Sequence, residues 1–186
     1  MIIRGLWRLA KCERAGIGEF GGTLDNFYAS LAPLIAFPLV GAIASAMQGA
    51  WQLAIIGFLS RLAAVLVLHL CVYEFSRLFG REMFWLRTAT VLNWSFWMLL
   101  PALLVASLVG GILAQCGLGM VRAELLTLVL VGLYLLWYRL FALSAGLGVH
   151  YGQAALIVLA SSVAIACSVA LPQLMGLVPA VPLPAS

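Results

Sequence analysis

Charged side chains are scarce in this sequence. Its 186 residues include 10 Lys or Arg and 6 Asp or Glu, so only 9% are charged, whereas about a quarter are charged in a soluble domain. Hydrophobic residues make up 65% of the chain, and the mean hydropathy is +1.15. A soluble fold of this composition would leave wide apolar patches in water. The sequence therefore excludes a water-soluble globule and predicts an integral membrane protein whose partner is the lipid bilayer.

Patterns that other functions need are also missing. The ten basic residues are scattered among apolar stretches and form no continuous patch, which argues against nucleic-acid binding. The four cysteines show neither a CxxC pair nor a Cys/His ligand spacing, and His69 and His150 fall in different segments, so no metal site is predicted. No nucleophile with a base, no carboxylate pair and no phosphate-binding glycine loop is recognisable. We predict no catalytic residue and no cofactor.

Five apolar stretches reach the roughly 20 residues that a 30 Å hydrocarbon layer requires. They lie at 27–47, 57–78, 88–112, 125–145 and 153–174. The fold class predicted for 27–174 is therefore all-α, a transmembrane bundle of five helices. The sequence shows neither an inverted repeat nor a broken helix, which many transporters have. The uncharged tail 175–186 contains three prolines and is predicted to be disordered.

Residues 1–26 precede the first apolar stretch and carry most of its flanking charge. Apolar residues at helical spacing in 2–10 lie opposite Arg4, Arg8 and Lys11, a pattern that predicts an amphipathic helix at the membrane interface. The alternative is a frayed tail. Eight basic residues fall on the N-terminal side of a five-span bundle, against Arg61 and Arg122 on the other. This asymmetry predicts a cytoplasmic N-terminus and an outer C-terminus, most consistent with a bacterial inner membrane.

A family resemblance rests on the connectors that follow the second and fourth stretches. The first set of residues is Ser76-Arg77-Leu78-Phe79-Gly80-Arg81 with Phe84, Arg87, Thr88 and Val91. The second set is Leu135-Leu136-Trp137-Tyr138-Arg139-Leu140, Ala145-Gly146-Leu147, His150 and Gly152-Gln153-Ala154. In these features the chain resembles the Yip1 family of small five-span membrane proteins, including its bacterial members.

That resemblance covers about two-thirds of the chain and implies a compact helical bundle that acts through lateral partners, without a catalytic centre. Asp25, Phe27, Tyr28 and Pro33 are similar to the entry of the first span in eukaryotic members. The compact motif of those members and its glycine are absent here. GTPase binding and vesicle traffic are therefore not carried over.

Polar residues within the membrane are costly and are the first candidates for function. His69 is the deepest, and we expect a buried structural histidine or, alternatively, a proton- or ligand-handling one. Arg61 can snorkel to the interface or pair with Glu124, and Glu74 can pair with Arg139 or Arg77. We favour structural ion pairs between helices over a transport role.

Uncharged polar residues form stripes that suggest a shallow hydrated cavity around His69, or simple helix contacts. The fourth stretch aligns Thr127, Tyr134 and Tyr138, and the third aligns Asn93, Trp97 and Pro101. Ser161, Ser162 and Ser168 mark a small polar side of the fifth.

Small residues at four-residue spacing predict close helix packing. They are Gly41, Ser45 and Gly49 in the first stretch and Ala160, Ala164 and Ser168 in the fifth. The favoured function is thus non-enzymatic: lateral association with another membrane protein or in a homo-oligomer. The alternative is a small-solute or proton-coupled permease using His69, Asn93 and Tyr134. A membrane-embedded lipid enzyme is least favoured, because no acid–base pair faces either interface.

Overall fold

The computed structural model describes residues 2–176, and every regular element in that range is helical, as predicted. The α-helices are α1 (Ile2–Ala10), α2 (Leu24–Met47), α3 (Trp51–Leu78), α4 (Trp85–Ser95), α5 (Leu99–Gln115), α6 (Met120–Leu147) and α7 (Tyr151–Leu174). Short 3-10 turns occupy Arg14–Glu19, Glu82–Phe84 and Phe96–Met98. The tail predicted to be disordered is 175–186. Apart from its first two residues, it lies outside the described residues.

Five helical segments are long and apolar enough to cross a bilayer: α2, α3, the segment Glu82–Gln115, α6 and α7. Their mean hydropathies are 1.9 to 2.4, yet at most 22% of each apolar window is buried within the chain. Apolar surface left uncovered on this scale needs lipid around it. The chain is therefore an integral membrane protein with five candidate spans, as the composition predicts.

The spans are longer than predicted and their connectors are shorter. The connectors are short because a glycine turns the chain just after four of the helices. Gly49, Gly80, Gly117 and Gly148 follow α2, α3, α5 and α6, each with a φ between 64° and 97°. Only glycine adopts this left-handed conformation without strain from a Cβ atom. Gly49, predicted to pack helices, instead belongs to the turn between α2 and α3, so that prediction is wrong.

The third span is helical throughout, as predicted, but it contains a local change of helix type. It consists of α4 and α5 with the 3-10 turn Phe96–Met98 between them, and the residues that join these pieces keep right-handed helical dihedrals. Pro101 lies four residues after Trp97 and has no amide hydrogen, so it cannot donate to the Trp97 carbonyl, and its ring crowds that oxygen. The 3-10 turn therefore lies where this missing hydrogen bond is expected.

Buried side chains concentrate at the end of the bundle that carries the N-terminus. Leu6 and Leu9 of α1 are buried there together with residues of α3, α4, α6 and α7. Arg8 forms ion pairs with Glu13 and Glu19, at 3.3 Å each, which close the N-terminal segment on itself. The predicted N-terminal helix is confirmed, and the frayed-tail alternative is wrong for residues 2–10.

Close helix contacts support this packed end. A Cβ atom added to Gly146 of α6 would lie 2.6 Å from Oγ1 of Thr88 on α4. Thr88 is fully buried and donates its hydroxyl to the Phe84 carbonyl at 2.9 Å. The α4 and α6 backbones therefore approach each other closely, which fixes the helix segments that carry the polar residues described next.

Candidate functional site

A cavity of about 740 Å³ lies between the helices, bordered by α2 to α7. We call it the central cavity. Its apolar walls include Leu34, Phe37, Leu68, Leu99, Leu135 and Ile165. Its polar side chains include Arg61, His69, Asn93, Tyr138 and Arg139. Five of the eight polar candidates from the sequence thus come together in one place, although they are carried by three different helices.

His69 lies in the middle of α3 and is 8% exposed. Its Nδ1 is 2.7 Å from the Val65 carbonyl oxygen, which can only accept, so Nδ1 carries the hydrogen. The Phe27 ring packs edge-on against the imidazole at 5.5 Å between centroids. Nε2 is left without a hydrogen-bond partner among residues 2–176. In the neutral ring this atom is an acceptor.

Asn93 of α4 is 1% exposed and reaches across to α2. Its Nδ2 donates to Oγ of Ser30 at 2.8 Å, and Ser30 donates in turn to the Phe27 carbonyl at 2.6 Å. This chain of hydrogen bonds fixes the amide plane. The amide oxygen Oδ1 has no partner within the described residues.

Tyr138 and Arg139 follow each other on α6. The Tyr138 hydroxyl is buried without a partner in the described chain. Arg139 donates from Nη2 to Oγ of Ser161 on α7 at 2.7 Å, while its Nε is buried and unpartnered among residues 2–176. A guanidinium stays protonated in proteins, so this wall of the cavity carries a positive charge.

The count of basic residues on each side of the membrane places Arg139 at the end of the fourth span. The structure places it inside that span. Because α6 continues to Leu147, Arg139 lies two turns inside the helix end. It does not pair with Glu74, which instead contacts Arg77 on its own helix at 3.6 Å. The sequence signal that marks Arg139 is an arginine followed by eight uncharged residues that extend the span.

Arg61 of α3 is exposed toward the open side of the central cavity. A Cβ atom on Gly41 would lie 3.8 Å from its Nη1, so the guanidinium reaches across to α2. The predicted pair with Glu124 does not form in residues 2–176, and Glu124 is exposed at the start of α6. The chain has six acidic residues, and none of them lines the central cavity.

No family model, curated protein or solved structure matches the chain. The resemblance to the Yip1 family therefore stays a prediction.

The remaining polar candidates lie elsewhere. The Tyr134 hydroxyl donates to the Ala10 carbonyl of α1 at 3.2 Å, and Thr127 donates to backbone carbonyls of its own helix. Trp97 stacks edge-on against Phe37 at 5.6 Å. The stripe Thr127, Tyr134 and Tyr138 is thus divided between two sites, and only Tyr138 borders the central cavity.

The small-residue stripes are largely used within the chain. Ala160, Ala164 and Ser168 are half-buried and lie beside the buried face of α7, which packs chiefly on α3. Gly41 lines the central cavity, and Ser45 is half-buried with its hydroxyl donating to the Gly41 carbonyl at 3.0 Å. Lateral association stays a prediction, because α2 in particular is little covered by the rest of the chain.

Proposed function

We propose that this chain is a non-enzymatic membrane protein that binds a small organic anion in the central cavity. The observation that carries the proposal is the charge of the cavity: two arginines line it and no carboxylate does. The proposal develops the polar-residue alternative of the sequence analysis and replaces a proton-coupled role by anion recognition.

Arg139 is half-buried in a membrane span and has no acidic partner among residues 2–176. A charged side chain at the centre of a membrane helix costs about 3 kcal/mol on insertion scales, and partial exposure reduces that cost. The neutral hydroxyl of Ser161 satisfies one N–H group but leaves the charge uncompensated. An anion bound at Nε would supply both the missing acceptor and the missing negative charge.

Shape and polarity restrict the ligand further. A volume of about 740 Å³ lies within the range of small-molecule sites, which bury an apolar body and orient it by a few polar groups. Aliphatic and aromatic side chains form most of the wall, while the Tyr138 hydroxyl has no partner among residues 2–176 and can donate to a ligand. A carboxylate or phosphate head on a short apolar body fits this arrangement better than a bare inorganic ion.

A matched ligand series tests the proposal on the purified full chain in neutral detergent. Isothermal titration with octanoate, octanamide and octylammonium compares one apolar body with an anionic, a neutral and a cationic head. We expect octanoate to bind and the other two to bind at least tenfold more weakly. Equal binding of all three would mean that the cavity recognises only the apolar body of the ligand, and it would refute the proposal.

Variants on one helix locate the binding. Arg139→Gln removes the charge and should weaken octanoate binding about tenfold to a hundredfold, the worth of a charge-assisted hydrogen bond. Arg122→Gln removes an exposed charge near the start of α6, outside the cavity, and should change nothing. Arg139→Lys keeps the charge and should fall between wild type and Arg139→Gln. An identical loss in both glutamine variants would contradict the site.

Transport of the bound anion is the second candidate function, favoured by the 3-10 turn in the third span. The turn Phe96–Met98 adjoins the cavity, and Ser95, Phe96 and Leu99 line it. A stretch of 3-10 helix inside an α-helix often marks a functional hinge. Octanoate flux into proteoliposomes tests this function. Flux that does not exceed that of protein-free liposomes, or that is the same in Arg139→Gln as in wild type, would leave a binding protein without transport.

Orientation in a bacterial inner membrane, N-terminus cytoplasmic, remains part of the proposal. It is supported by Arg4 of α1 and by Arg81 and Arg87 near the α3–α4 connector, which are exposed in the folded chain.

A further inference from the structure

A second opening lies between α5 and α6, on the side away from the central cavity. At one end the two helices touch: a Cβ atom on Gly110 would lie 3.2 Å from Oγ1 of Thr127, and Ala106 and Ala123 are buried. From this contact a groove of about 460 Å³ runs toward the N-terminal end of the bundle. We call it the α5–α6 cleft. It is independent of the proposed anion site.

Residues of α1 and of the turn that follows it border the open end of the cleft. Trp7 and Lys11 line it there, and Lys11 Nζ lies 5.7 Å from the centroid of the Trp7 ring. Tyr134 also lines this end and holds α1 in place through its hydrogen bond to Ala10. Tryptophan, tyrosine and lysine are the residue types that lie at headgroup level. The mouth of the cleft is therefore bordered by residue types suited to contact a lipid headgroup, and its other end is closed by the Gly110–Thr127 contact.

The interior of the cleft is apolar. Pro101, Ala102 and Val105 of α5 face Leu130 and Val131 of α6. Thr127, at the closed end, already donates its hydroxyl to its own backbone and offers no free hydrogen. The lining extends from Met98 to Val109, about 16 Å at 1.5 Å per residue, close to the half-thickness of about 15 Å of a bilayer core.

Charge distinguishes the mouth of the cleft from its interior. Lys11 takes part in no ion pair among residues 2–176, and no acidic side chain lines the cleft. An apolar slot about 16 Å long, with an ammonium at its mouth that has no acidic partner among residues 2–176, complements a lipid with an anionic head. We propose that the α5–α6 cleft holds an acyl chain of an anionic phospholipid from the leaflet at the N-terminal end, with its phosphate on Lys11.

The test uses the full chain reconstituted in nanodiscs of phosphatidylcholine with one-fifth phosphatidylglycerol, released for native mass spectrometry. We expect wild type to retain one phosphatidylglycerol in preference to phosphatidylcholine. Lys11→Gln should reduce this preference about fivefold, the usual effect of one basic residue near an anionic surface. Arg14→Gln removes a neighbouring exposed charge that does not line the cleft and should retain the lipid.

Ala102→Leu fills the cleft and should remove retention of both lipids, while circular dichroism and octanoate binding report an intact fold and central cavity. Retention that is unchanged in Lys11→Gln, or equal for the two lipids in wild type, would overturn the proposal. So would retention by Ala102→Leu with unchanged circular dichroism. Loss of phosphatidylglycerol together with preserved octanoate binding separates this cleft from the anion site.

Discussion

Gly146 provides the sharpest test of how the bundle is built. Replacing it with alanine adds one carbon that would lie 2.6 Å from Thr88 Oγ1 and 2.9 Å from its Cγ2. Neither atom is the end of a long flexible side chain, and Thr88 is fully buried. Overpacking of this kind costs about 1 to 3 kcal/mol. We therefore expect Gly146→Ala to destabilise the protein.

A second glycine on the same helix supplies the control. Gly132 has no atom within 4 Å of an added Cβ, so Gly132→Ala gains helix propensity, up to about 1 kcal/mol, without a clash. The same propensity gain applies to Gly146→Ala. The difference in unfolding free energy between the two variants therefore isolates the steric term, expected at about 1 to 3 kcal/mol.

Unfolding is measured in mixed micelles by titrating in a denaturing detergent and following circular dichroism. Thr88→Ala removes both close atoms, so the double variant with Gly146→Ala should recover much of the loss, a coupling that a double-mutant cycle measures. If Gly146→Ala is as stable as Gly132→Ala, α4 and α6 do not approach each other as closely as described. The packing proposed for this end of the bundle would then be refuted.

The other predictions concern the N-terminal segment, the surface and the topology. Tyr134→Phe removes the hydrogen bond to α1 and should increase the maleimide labelling rate of exposed Cys12; an unchanged rate would mean that other contacts hold the segment. Glu74→Gln breaks only an exposed pair with Arg77 and should change the unfolding free energy by less than about 0.5 kcal/mol, so a larger change would reveal an additional partner. Impermeant maleimide applied to sealed inverted vesicles should label Cys12 but not Cys116, because five spans place them on opposite sides, and labelling of both would refute the topology.

The sequence was sufficient for the spans because hydropathy and length decide them directly. It also identified His69 and Asn93 as candidates, since polar residues in apolar stretches are conspicuous. It did not place them beside Arg139, because that neighbourhood depends on how α3, α4 and α6 cross. The ion pair expected for Arg61 failed for the same reason: depth along a helix is readable from sequence, but the direction a side chain faces around the bundle is not.

Proline and glycine show a second limit. The helical spacing assigns Pro101 to a polar stripe, although its missing amide hydrogen predicts the 3-10 turn at Phe96–Met98. Gly49 fitted the four-residue spacing of a packing stripe, yet its φ of 85° belongs to a turn. In both cases a local backbone property outweighed a periodic pattern.

The 3-10 turn in the third span leads into a helix that borders both openings. Beyond Phe96–Met98, α5 packs chiefly on α6, whereas α4 is anchored in the buried core. Leu99 lines the central cavity and Pro101 lines the cleft, and two residues turn an α-helix by about 200°. At this level α5 is therefore a wall one helix thick between the two openings.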